Sequence, residues 1–317
     1  MEQKKRIWVA VGVIENERGD IFIAKRSSDR HQGDRWEFPG GKGEPGESVR
    51  AALERELSEE LQIRVTQARP LLQVNHDYPD KQVLLDVWEV GAFKGQPHGA
   101  EGQSLAWVAP RQLVDYPFPA ANQPIVAAAR LPSQYLITPD GLSHHELLSG
   151  LRQALASGVR LVQLRAPNMY SPEYRDLALD AQGLCAGKAQ LMLKGPLEWL
   201  GDFPAAGWHL TAEQLRQYAP AGRPFPKERW LAASCHCAQE LALAQQMGVD
   251  FVTLSPVQNT LSHPEAMALG WDKAAALLRD FNQPAYLLGG VGPDDLSRAW
   301  DCGAQGVAGI RAWWPQH

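Results

Sequence analysis

At 317 residues the chain exceeds one average domain, and a prior of about 150 residues per domain predicts two. Its composition, 44% hydrophobic and 21% charged with no low-complexity tract, is that of a globular protein. A net charge of −5 argues against a polynucleotide as partner, since duplex binding needs a basic face, but leaves single nucleotides open. In chain order, residues 7–14 and 21–25 read as β-strands around a Gly19-Asp20 turn. A loop carrying Pro39, Gly40, Gly41 and Gly43 leads to a helix over 47–61. Strands are predicted at 71–76, 83–90 and 104–108, and a short helix at 123–130. Leu131-Pro132-Ser133 breaks the pattern, because a residue before proline leaves the helical region, and divides the chain into domains 1–131 and 132–317.

Beyond that boundary strands and helices alternate. Apolar strand cores are predicted at 135–138, 161–165, 190–194, 207–210, 230–234, 251–255, 285–289 and 306–310. Helical patterns at 144–157, 172–185, 238–247, 272–280 and 293–301 lie between them, and the tail after Ile310 barely allows a last helix. Eight βα repeats predict a closed parallel barrel, small beside the ~250 residues usual for such barrels. The fold class is therefore α/β throughout. No apolar run reaches the ~20 residues of a membrane span, and the run 7–14 ends in a polar turn, so a cytoplasmic protein without a membrane partner is expected. Cys185, Cys235, Cys237 and Cys302 form no CxxC pair, and reduced thiols are expected.

On the first helix Glu56, Glu59 and Glu60 stand at i, i+3 and i+4, so three carboxylates share one face beside an apolar stripe of Leu53, Leu57 and Leu61. Like charges on adjacent turns destabilise a helix unless a cation sits among them. A solvated acidic face partnered by Arg50 and Arg55 is one reading. The other is a metal site, in which the glycine loop lets a backbone carbonyl such as that of Gly40 approach the same ion. Magnesium takes about six oxygen ligands and keeps several waters, leaving room for phosphates.

The spacing Gly41-x5-Glu47-x7-Arg55-Glu56-Leu57-x-Glu59-Glu60-x-x-Ile63 resembles the Nudix box, GX5EX7REUXEEXGU, except that Gln62 replaces its last glycine, which ends the helix. The similarity extends over residues 4–126, through Trp36-Glu-Phe-Pro-Gly-Gly41, Tyr78-Pro-Asp80 and Pro119-Ala-Ala-Asn122, toward the MutT branch of 8-oxo-dGTP diphosphatases. It implies a Nudix α/β/α sandwich with a mixed sheet. It also implies a magnesium site, with manganese able to substitute, on Gly40, Glu56, Glu59, Glu60 and Glu101. Glu56 would double as base, with Glu47 supporting the cluster and Arg55 orienting Glu56. The nucleotide would meet Arg26, His31, Phe38, Tyr78, Asp80 and Asn122. Taken alone, Asn122 reads more readily as a helix N-cap than as a base reader, and Phe38 and Tyr78 as core or rim aromatics.

The second half is similar to thiamine-phosphate synthase and thiazole tautomerase. The similarity lies in Tyr135-Leu-Ile-Thr138, Val162-Gln163-Leu-Arg165, His209-Leu210, Ser234-Cys-His236, Ser255-Pro-Val257 and Leu288-Gly-Gly-Val291. It implies a (β/α)8 barrel holding a thiamine or thiazole phosphate through Gln163, Arg165, Ser234, His236, Thr260, Ser262, Gly289 and Gly290. Three departures stand out: Pro167 in place of a lysine, Lys194-Gly195 in place of an Asn-Asp pair, and Gln214 in place of a metal aspartate. Losing both carboxylates removes the means of neutralising a pyrophosphate leaving group, so synthase activity is not expected. The expected function is cleavage of 8-oxo-dGTP to 8-oxo-dGMP and pyrophosphate, with a degenerate barrel. The alternatives are cleavage of a thiamine-pathway pyrophosphate, and a barrel serving only as ligand sensor or scaffold.

Overall fold

The computed structural model describes residues 5–27, 32–79, 81–99, 102–169, 171–260 and 267–315. The chain divides into two compact units, residues 1–130 with 279–283, and 131–278 with 284–317.

In the first unit the strands are β1 (Lys5–Ile14), β2 (Ile21–Lys25), β3 (Trp36–Glu37), β4 (Gly40–Lys42), β5 (Arg64–Asp77), β6 (Lys81–Lys94) and β7 (Leu105–Val108); the helices are α1 (Val49–Leu61) and α2 (Gln123–Ala129). One sheet has the order β4-β1-β6-β5, with β1 and β6 parallel and the other pairs antiparallel. A smaller antiparallel sheet has the order β3-β2-β7. Alternation along β1 serves two layers. Ala10 and Ile14 join Leu53, Leu57 and Leu61 of α1, whereas Val11 and Val13 join Ile125, Val126 and Ala128 of α2. The result is the mixed-sheet sandwich expected.

The glycine segment forms strand β4 where a loop was predicted, after the short strand β3. Glycine lowers strand propensity, but here the ladder decides: Gly12 N–H donates to Pro39 O (2.8 Å) and Gly43 N–H to Trp8 O (3.2 Å). Close approach of the neighbours requires the glycines, since a Cβ on Gly43 would sit 1.5 Å from the Trp8 ring. β5 starts seven residues before the predicted strand, and its pairing with β6 has register shifts at Val65/Gln67, Gln67/Ala68 and Pro70/Leu72. These bulges scramble the period-2 signal, and Pro70 is tolerated because β5 is an edge strand.

The second unit is a closed barrel of eight parallel strands. They are β8 (Gln134–Ile137), β9 (Leu161–Leu164), β10 (Gln190–Leu193), β11 (Gly207–Leu210), β12 (Leu231–Cys235), β13 (Phe251–Leu254), β14 (Ala285–Leu287) and β15 (Gly306–Gly309). Outside them run α3 (His144–Ala156), α4 (Ser171–Cys185), α5 (Ala212–Tyr218), α6 (Ala238–Met247), α7 (Trp271–Leu278) and α8 (Leu296–Asp301). A 3-10 turn, Leu197–Asp202, replaces a helix between β10 and β11. No helix follows β15 among the described residues; the Trp314 ring lies over α3 at Gly150, where a Cβ would approach it to 2.2 Å. The barrel is filled by Tyr135, Phe251 and Tyr286, with ring centroids 5.4–5.6 Å apart. No helix among the described residues is long and apolar enough to cross a membrane.

Candidate functional site

Helix α1 is set by its caps and its buried stripe. Ser48 accepts from Ala51 N–H (3.2 Å), and Leu53, Leu57 and Leu61 are wholly buried, which fixes the rotation of the helix. At the other end Gln62 adopts the left-handed conformation (φ 55°, ψ 34°), its N–H donating to Leu57 O and Ser58 O. The termination a glycine would make is thus kept by a residue that bears a Cβ.

Arg55 is the hub of the acidic face. Its guanidinium donates to both oxygens of Glu47 (3.1 Å each), to Glu56 Oε1 (2.8 Å) and Glu59 Oε2 (3.5 Å), and to the Lys42 carbonyl (3.0 Å). The Arg55 hydrogen bonds, and then the Glu44 N–H, hold the Glu47 carboxyl below its ordinary range; Glu47 and then Glu56 raise the Arg55 pKa. The sequence reading required a cation among the glutamates, and Arg55 supplies one from the chain itself. Glu54, off this face, pairs with Arg50 at 2.9 Å.

Register Ala10↔Gly41 and Val11↔Gly40 places β4 beneath α1. The Glu56 carboxylate lies directly on Gly41, where an added Cβ would be 2.1 Å from Oε2, and Gly40 N–H donates to Glu60 Oε2 at 3.3 Å. Glu59 is the most exposed of the three, at 63%. Among the described residues no three His, Cys, Asp or Glu side chains converge to enclose an ion by themselves. The expected triad is instead divided between two donors, Glu56 and Glu59 sharing the Arg55 guanidinium and Glu60 taking the Gly40 N–H. The donors nonetheless suit a hard divalent cation, with Glu56 and Glu60 reaching backbone that only glycine leaves open and Glu59 beside them.

Of the expected nucleotide-binding groups, His31 and Asp80 lie outside the described residues, as does Glu101 of the metal set. Phe38 is 4% exposed and stacks on Phe118 (5.2 Å between centroids), which makes it core. Tyr78 packs on the same cluster and near Arg26, which pairs with Glu37 at 2.9 Å. Asn122 begins α2, but its backbone is helical and its side chain makes no cap bond. The structure thus gives Asn122 no capping duty.

Sequence reasoning passed over Asp86, a buried carboxyl on β6 in register with Ala10, and so in one row with Gly41. Burial raises its pKa against hydrogen bonds from Gln73 (2.8 Å) and Trp88 (3.1 Å). The signal was a lone acid inside the apolar run Val83-Leu-Leu-Asp-Val87.

At the barrel, Gln163 is 1% exposed and donates to Tyr135 Oη (3.2 Å). Arg165 is ion-paired with Asp140. His236 is exposed, its Nδ1 held by the Ser255 carbonyl at 2.8 Å. Ser234 Oγ meets His209 Nε2 (3.1 Å) and Lys194 Nζ (3.4 Å). Gly289 and Gly290 (φ 96° and 68°) press on the segment after β13, where Cβ atoms would meet Pro256 at 2.8 Å and Gln258 at 2.7 Å. Thr260 is half-buried and Ser262 lies outside the described residues. Gln214, at the family's metal aspartate, is consumed locally, capping with Thr211 and donating to Gly195 O (2.9 Å).

A family model described as NUDIX domain matches residues 10–128, and one described as thiamine monophosphate synthase matches 134–313. The 8-oxo-dGTP diphosphatase of Escherichia coli (strain K12) is 39% identical over 123 residues, covering 39% of this chain and 95% of that protein. The CTP pyrophosphohydrolase of the same organism is 37% identical over 124 residues, covering 39% and 90%. The putative thiamine-phosphate synthase 2 of Aquifex aeolicus (strain VF5) is 31% identical over 182 residues, covering 57% and 96%. Glycine-backed glutamates under α1 and an eight-stranded barrel thus meet in one chain, which belongs to the Nudix family through its first unit and to the thiamine monophosphate synthase family through its second.

Proposed function

We propose that the first unit is a magnesium-dependent pyrophosphohydrolase that converts 8-oxo-dGTP to 8-oxo-dGMP and pyrophosphate, a nucleotide-pool sanitation step that avoids mutation. The observation that carries this reading is the Glu56 carboxylate seated on Gly41 and held from the side by Arg55. Glu56, Glu59, Glu60 and the Gly40 carbonyl are the groups that would hold the ion, with Glu101 adding a further carboxylate. Magnesium, or manganese in its place, supplies charge neutralisation for the phosphates when bound. Glu56 takes the proton of the attacking water, whose oxygen bonds to the β-phosphorus as the bond to the α–β bridging oxygen breaks. Arg55, anchored through Glu47, keeps the Glu56 carboxylate aimed at that water. Asn122 reads the base edge, between Tyr78 on one side and Arg26 toward the sugar and phosphates. The barrel binds a thiamine or thiazole phosphate without synthase chemistry, a reading supported by Gly195 and Gln214 at the family's carboxylate positions.

A second reading, hydrolysis of a thiamine-pathway pyrophosphate, is favoured by the thiamine monophosphate synthase match on the same chain. Comparing kcat/KM for 8-oxo-dGTP, dGTP, CTP and thiamine diphosphate with Mg²⁺ separates the two. The highest value is expected for 8-oxo-dGTP; preference for thiamine diphosphate overturns the nucleotide reading, and preference for CTP moves it to a different base.

A further inference from the structure

A line of polar side chains crosses the barrel interior and ends at Lys194. Gln163 Nε2 donates to Tyr135 Oη (3.2 Å), Tyr135 Oη meets His209 Nδ1 (2.9 Å), His209 Nε2 meets Ser234 Oγ (3.1 Å), and Lys194 Nζ lies 3.4 Å from that oxygen. The protons can be assigned along it. Having accepted from Gln163, the Tyr135 hydroxyl has one hydrogen to give, and His209 Nδ1 takes it. His209 is then neutral with its proton on Nε2, in keeping with burial and the nearby Lys194 charge holding its pKa well below the usual value. Nε2–H donates to Ser234, whose oxygen also accepts from the Lys194 amine (3.4 Å).

Lys194 immediately follows β10, at the C-terminal strand end where barrels carry their chemistry. Its backbone is pinned by the N–H to Tyr174 Oη bond (3.3 Å). Among the described residues no carboxylate pairs with its amine. Burial, and then repulsion from Arg165, lower its pKa to about 8. Desolvation beside a second cation is how a lysine amine is made nucleophilic. Arg165 is steered by Asp140.

We propose that Lys194 is a nucleophilic amine that forms an imine with a small aldehyde or ketone bearing an anionic group, which Arg165 attracts. The Nζ lone pair bonds to the carbonyl carbon while the C=O pair moves to oxygen. Proton transfer through Ser234 gives the carbinolamine, and a protonated hydroxyl leaves as water as C=N forms. No oxidant or reductant is consumed. The proposal is independent of the hydrolase reading.

The test treats the full-length wild-type protein with glyoxylate and cyanoborohydride at pH 7.5 and maps the carboxymethyl adducts by peptide mass spectrometry. Lys194 is expected to react at least ~10-fold faster than the exposed Lys188, because burial beside Arg165 favours its unprotonated, nucleophilic form. Acetaldehyde, which lacks the anion, should lose most of that preference, and Ser234→Ala should slow the Lys194 adduct several-fold. Equal rates at Lys194 and Lys188, or no adduct at Lys194, overturn the assignment. An unchanged rate in Ser234→Ala removes Ser234 from the proton transfer, and equal selectivity with acetaldehyde removes Arg165.

Discussion

Gly40 and Gly41 are adjacent yet forbid side chains for different reasons. At Gly41 an added Cβ meets the end of a flexible side chain, the Glu56 carboxylate, at 2.1 Å; at Gly40 it meets the Ala10 backbone carbonyl at 2.1 Å, on a backbone at φ +143°. Gly41→Ala should therefore leave the fold intact and displace Glu56, lowering kcat at least ~10-fold. Gly40→Ala should unfold the first unit more readily, since backbone cannot yield as a carboxylate can, at a cost of a few kcal/mol. Thermal unfolding and turnover measured on both variants would decide; similar losses of stability would mean that Glu56 is not the mobile partner. Glu56→Gln keeps the Arg55 contact but not the base, and should lower kcat at least ~10²-fold with unchanged circular dichroism. Near-normal turnover would remove Glu56 from its role.

At the scale of elements, α1 shows where a residue pattern predicts structure and where it cannot. Its glutamates and leucines were legible because a 3.6-residue period separates them whatever surrounds the helix. The eight barrel strands were legible for a similar reason, each being a short, largely buried and mostly apolar run. β3 and β4 were not, because runs of two or three residues, the second of them mostly glycine, carry no period. Phe38 stacks on Phe118 and Gln163 bonds to Tyr135, contacts the sequence did not show, since residue type alone does not tell a lining side chain from a core one. Lys194 was visible only as a departure from a family pattern, because its environment is assembled by three strands distant in sequence. Gln62 yields a prediction at this scale: it holds a left-handed C-cap with a side chain that disfavours it. Gln62→Gly should stabilise the last turn of α1 by about 0.5–1 kcal/mol, seen as amide exchange slowed about 2- to 5-fold at Leu61 and Gln62. Faster exchange would mean that the Gln62 side chain contributes more than its conformation costs.

Taken whole, the molecule joins a surface cluster of charges to a barrel whose polar groups are buried, and the two should answer differently to pH. The glutamates around Arg55 sit at the surface, where solvent screens them, so they contribute little to global stability. His209 is the opposite case, fully buried and held neutral between Tyr135 and Ser234. Its folded pKa lies well below the ordinary value of 6.5. The unfolded chain therefore binds the proton first on acidification, and stability present above pH 6.5 is lost as the pH falls toward the folded value, by about 1.4 kcal/mol per unit. Lys194 shifts in the same direction, and its share appears at higher pH: between about 8 and 10.5 the unfolded chain again binds more protons, so alkali stabilises the barrel. Calorimetry of the full-length protein from pH 7 to 5, beside His209→Gln, tests the acid limb. The barrel transition of the wild type should fall more steeply than that of the variant, which has no proton to bind at this position. Parallel slopes would show that His209 is protonated within the fold as easily as outside it, and the directed hydrogen-bond chain from Gln163 to Lys194 would lose its polarity.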